Sequence, residues 1–116
     1  MFAAVLLAAA FAQSAEDVPG RYIVQGPNGA CPATLRPAAE QLPESNHEGE
    51  TASGFAFAAP GCPAGLSQAA LWRLSLADGA LILADGAGEI LFEGRADGPD
   101  WIGETPAGEA VALRPR

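Results

Sequence analysis

The chain has 116 residues, with 14 acids against 6 bases for a formal charge of −8, which is room for one small domain. All six bases are arginine and none cluster, so phosphate-backbone binding has no electrostatic footing and no nucleic acid is expected as a partner. An apolar fraction of 49% with 17% charged residues reads as a folded chain, and a single histidine excludes two-histidine mechanisms and histidine-rich metal centres.

Residues 2–12 are an uninterrupted run of 11 apolar residues. A bilayer span needs roughly 20, so no membrane span is expected. The run has the length of a signal-peptide h-region, and Ala10-Phe11-Ala12 supplies a small-x-small cleavage site. We therefore expect a signal peptide over residues 1–15, cut after Ala12 or Ala15, and one domain over 16–116 that is periplasmic or secreted. No cysteine near the cut suggests a lipid anchor. The competing reading makes this run a first hydrophobic element of the fold.

Downstream, residues 21–25 read as a strand, Pro27-Asn28-Gly29 as a turn and 31–36 as a second strand. Residues 37–51 are polar and acidic, with Glu40, Glu44, Glu48 and Glu50, and read as a loop that has room for one helical turn at 38–42. His47 falls in that loop, where a lone histidine faces solvent more often than it serves a site. Residues 54–58 read as a third strand with Phe55 and Phe57 on one face. In 70–76 the alternation places Trp72, Leu74 and Leu76 opposite Arg73 and Ser75. Asp78-Gly79 is a hairpin signal. Strands follow at 80–84, 89–93, 101–105 and 109–114, separated by turns at 85–88, 97–99 and 106–108.

Eight short sequential strands close most economically as an antiparallel up-and-down barrel, because closure removes exposed edges. The fold expected is all-β, monomeric, with Tyr22, Val24, Leu35, Phe55, Phe57, Trp72, Leu74, Leu76, Leu81, Leu83, Ile90, Phe92, Trp101, Val111 and Leu113 pointing inward. Side chains of that bulk leave little room for a ligand cavity. A β-sandwich of the same strands is equally compatible with the periodicity. Cys31 and Cys62 are the only cysteines, and an even pair in an exported chain reads as a disulfide.

Catalytic chemistry is not visible. The chain lacks a G-x-S-x-G elbow, a phosphate-cradling loop and H-E-x-x-H. Glu89 and Glu93 form a carboxylate pair, but strand parity sets them opposite Ile90 and Phe92, on a solvated face. Trp72 and Trp101 share parity with core residues. The expectation is a binding module and not an enzyme, with no cofactor and no metal site.

Several short motifs recur in one order. They are Gly20-Arg21-Tyr22, Cys31 with Leu35, Pro60-Gly61-Cys62-Pro63 and Ala70-Leu71-Trp72-Arg73. After these come Asp78-Gly79 with Leu81 and Leu83, Asp85 with Gly88, Phe92, and Trp101-x-Gly103-x-Thr105 with Gly108. Val111, Leu113 and Arg114 close the set. This order resembles the bacterial inhibitors of serralysin-type metalloproteases, the alkaline proteinase inhibitor family, with Tyr22 where that family has tryptophan. The resemblance implies an eight-stranded barrel with one disulfide, located in the periplasm, whose partner is a zinc metalloprotease. It also implies an N-terminal trunk that enters the protease cleft, and here that trunk would be Gln13, Ser14, Ala15, Glu16, Asp17 and Val18. Two other functions stay open from the residues alone. One is a barrel that binds a lysozyme or another hydrolase through its loops, and the other is a lipocalin-like carrier of a small ligand.

Overall fold

The structure, a computed structural model, describes residues 18–37 and 51–116. Eight strands run in chain order: β1 (Gly20–Gly26), β2 (Gly29–Pro37), β3 (Thr51–Ala58), β4 (Leu71–Ser75), β5 (Leu81–Ala84), β6 (Ile90–Asp97), β7 (Asp100–Glu104) and β8 (Ala110–Pro115). Each pairs antiparallel with its successor, and β8 returns to β1 through Val24↔Leu113 and its neighbours, so the sheet is a closed barrel. The sandwich alternative is thereby removed. The acidic loop at 38–50, its helical turn and His47 lie outside the described residues.

Turn chemistry explains the short connections. Asp85 Oδ1 accepts from the Ala87 and Glu89 N–H groups, both at 2.9 Å, and Thr105 Oγ1 accepts from Glu109 N–H at 3.1 Å. These short side chains satisfy turn amides that a closed sheet has no strand to pair. Between β6 and β7 only Gly98 and Pro99 make the hairpin, with Gly98 at φ 63°, a region in which a side chain is strained.

Inside the barrel lie Tyr22, Val24, Leu35, Trp72, Leu74, Leu81, Leu83, Phe92, Trp101, Val111 and Leu113, all buried as expected. Four other residues of the expected set face outward. Phe55 and Phe57 are 48% and 57% exposed, and Ala52, Gly54 and Ala56 take the inward positions of β3. The reason is volume. Gly54 pairs with Trp72, and a Cβ there would meet the indole Nε1 at 2.4 Å and the Arg36 carbonyl oxygen at 2.1 Å. The indole already fills the space that a phenyl ring on β3 would need.

Ile90 is reversed by a bulge. Leu83 pairs with Phe92, yet Ala84 pairs with Ile90, so Leu91 is an extra residue that flips parity between Ile90 and Phe92. Phe92 points in and Ile90 out. Leu76 lies beyond the end of β4, where Gly79 N–H donates to Ser75 O at 2.7 Å and the turn has already begun. It is exposed.

Both ends of the barrel are stoppered from inside. Val18, just before β1, is fully buried in the core cluster. At the opposite end the β3–β4 connection carries a short 3-10 segment, Pro63–Gln68, whose Leu66 is buried in the same cluster. Cys31 on β2 and Cys62 at the start of that connection form a disulfide, with Cα atoms 5.0 Å apart. The bridge fastens the stopper to the sheet.

Candidate functional site

Of the trunk residues named from the sequence, Gln13, Ser14, Ala15, Glu16 and Asp17 lie outside the described residues. Val18 is described, and it is a barrel residue. Its side chain is buried, and its carbonyl accepts from the Tyr22 hydroxyl at 2.6 Å. Packed into the core cluster, that side chain is held by the barrel. Tyrosine supplies this bond because its ring packs inside while its O–H finds a backbone oxygen.

Val18 lies at the barrel end that also holds the β4–β5 and β6–β7 turns and the last residues of β8. Acids rim this end. Asp78 pairs with Arg95 at 3.5 Å and Asp100 with Arg114 at 3.3 Å. Hydrogen bonds from the Ser75 side chain and from the Ala80 N–H, with the Arg95 charge behind them, hold the Asp78 carboxyl below its ordinary value of 3.8.

Other sequence candidates separate in space. Glu93 faces outward on β6, directly opposite Glu104 of β7, and Glu89 sits in the β5–β6 turn. Like charges facing each other across a sheet repel, and both side chains are exposed. A surface groove of about 910 Å³ runs past them, with Ile90 and Ile102 also in its lining. Trp72 and Trp101 are buried. Among the described residues, no three metal-ligating side chains come together. Among the same residues, no helix is long and apolar enough to cross a membrane.

One surface was not foreseen. With Phe55 and Phe57 turned outward, the outer face of β1–β4 carries an apolar ridge along β3, extended by half-exposed Leu71 directly opposite Phe55. Arg36 lies directly opposite Phe55 on the other side, and Thr34 separates Arg21 from Phe57. Arg73 stands on β4 between Ser53 and Ile82. None of these three arginines has an ion-pair partner among the described residues.

Among the described residues, charge is segregated around the barrel. Every acid among the described residues falls at position 78 or later, so the described part of β1–β4 bears Arg21, Arg36 and Arg73 with no acid. What hid the site was the parity of β3, for which alternating Gly54-Phe55-Ala56-Phe57 permits either orientation.

No known protein family matches the chain, and no curated protein is similar to it.

Proposed function

We propose that the protein is an exported inhibitor of a serralysin-type zinc metalloprotease, with the residues before Val18 as its inhibitory trunk. The observation that carries this reading is a barrel filled by its own side chains and stoppered at both ends, with an N-terminal segment anchored at one rim. Such a body offers surface and a leading segment instead of a ligand chamber, which argues against the carrier. The disulfide supports a compartment outside the reducing cytosol, the periplasm or the exterior.

Inhibition of this kind needs no metal site in the inhibitor. A catalytic zinc held by three protease ligands keeps an open position, and a terminal amine or carbonyl can occupy it in place of the hydrolytic water. With Val18 anchored, cleavage after Ala12 leaves five residues ahead of it, a reach of roughly 17 Å when extended. Cleavage after Ala15 leaves two, a reach of roughly 7 Å. The longer form suits a recessed zinc. Its terminal amine must be neutral to ligate, which costs about 1 kcal/mol at neutral pH from an unperturbed pKa near 7.7–8.0.

The test compares the mature protein, its N-terminus fixed by intact mass, with a form that starts at Val18. Both should give the same near-ultraviolet circular dichroism. The shortened form should inhibit a serralysin-type protease at least roughly 100-fold less well, about 2.7 kcal/mol. Equal inhibition by the two forms would reject the trunk. The exposed Phe55–Phe57 ridge would then favour the second reading, a barrel that binds a lysozyme or another hydrolase through its outer surface.

A further inference from the structure

We propose that the outer face of β1–β4 docks an acidic segment of a partner protein, one bearing two carboxylates on either side of an apolar residue. The face is independent of the trunk, and it would serve whichever hydrolase or other protein the chain meets.

Three observations converge. First, the two phenyl rings of β3 stand in solvent although the same strand buries only alanine and glycine. Aromatic and arginine side chains together are what the centre of a protein interface is enriched in. Second, a groove lies on each flank of this ridge. One, of about 440 Å³, is lined by Arg21, Thr34, Arg36 and Phe57. The other, of about 320 Å³, includes Phe55, Leu71 and Arg73 among its walls. Third, both grooves are lined in part by arginines that have no ion-pair partner among the described residues, and every described acid falls at position 78 or later, outside β1–β4.

The spacing sets the shape of the occupant. Arg36 on β2 and Arg73 on β4 are separated by two strand spacings and a two-residue offset, roughly 12 Å between backbones. A segment with carboxylates about that far apart can offer each arginine a bidentate partner while its middle side chain lies against the phenyl ridge. Guanidinium suits this task because its planar fork both pairs with carboxylate and stacks on rings. A second copy of the chain would bring its own eight net negative charges to the encounter, and that repulsion disfavours it.

The test is an ¹⁵N NMR titration of the mature protein with two 12-residue synthetic peptides. One alternates Glu with Leu and Phe, and the other has Gln in place of every Glu. The acidic peptide should move the amide signals of Thr34, Phe55, Phe57 and Leu71, and bind at least 10-fold more tightly than its Gln counterpart. The doubly substituted Arg36→Gln, Arg73→Gln protein, whose exposed changes should leave its melting temperature unaltered, should lose at least 10-fold in affinity.

Four results would each overturn the proposal. They are no binding at millimolar peptide, equal binding of the Gln peptide, perturbation confined to β6 and β7, and an affinity unchanged by the arginine substitutions. Three others reassign the face and overturn it equally. A dimer in sedimentation equilibrium abolished by those substitutions would name a second copy. The same signals moved by phosphatidylglycerol vesicles and not by the acidic peptide would name a lipid surface. Peptide binding seen only after Glu40, Glu44, Glu48 and Glu50 become Gln would name the chain's own acidic segment.

Discussion

The indole N–H of Trp72 donates to the Arg36 carbonyl at 2.9 Å, reaching past Gly54 on the strand between them. This bond crosses β3 on its inner side and joins β4 to the end of β2. It holds because Gly54 has no side chain to stand in the way. It also decides which way β3 faces, and with that the exposure of Phe55 and Phe57.

Gly54→Ala should therefore destabilise the barrel well beyond the loss of glycine flexibility. A methyl there would overlap both partners of the bond, so the indole must move and the Arg36 carbonyl loses its donor. Overpacking and a lost hydrogen bond together should cost about 2–4 kcal/mol. Urea denaturation followed by tryptophan fluorescence measures it, and a loss below about 1 kcal/mol would mean the site relaxes freely.

At the barrel's entrance the anchor is Val18. Val18→Ala removes two buried methyl groups and should cost about 2 kcal/mol. Tyr22→Phe keeps the ring and loses the donor to the Val18 carbonyl, for about 0.5–1.5 kcal/mol. If the trunk inhibits, both variants should also weaken inhibition, since a loosened anchor leaves more chain to order on binding. Melting curves and inhibition constants taken on the same samples separate the two effects.

The disulfide closes a loop with a sequence separation of 31. In the chain-entropy account this stabilises by roughly 3–4 kcal/mol. Cys31→Ser combined with Cys62→Ser should lower the urea midpoint accordingly while leaving the strand pairing intact. The wild-type protein, denatured but unreduced, should show no reactive thiol.

Acid titration should single out Asp78. Its folded pKa is depressed, so the contribution it makes is fully present above 3.8 and disappears as pH falls through the lower folded value. The Ser75 hydrogen bond is the largest cause. Ser75→Ala should thus raise the Asp78 pKa toward 3.8, read from its carboxyl carbon shift by NMR, and an unmoved titration would assign the depression to the Ala80 amide and Arg95 instead.

Strand number, sequential strand order and the cysteine pairing follow from the chain's own pattern. Gly-containing turns at short intervals dictate sequential hairpins, whereas closure into a barrel, which removes exposed edges, is decided against a sandwich by the pairing of β8 with β1. Orientation was not decided locally. A period-2 strand such as 54–57 has two equivalent facings, and the rule that places large apolar residues inside chose the wrong one. Only the assembled barrel shows that Trp72 occupies the inner volume beside β3, that the extra residue Leu91 reverses Ile90, and that Val18 is drawn into the core. The physical reason is that interior volume is shared among all eight strands. Which side chain fills it is a property of the whole packing, and no single strand carries that information.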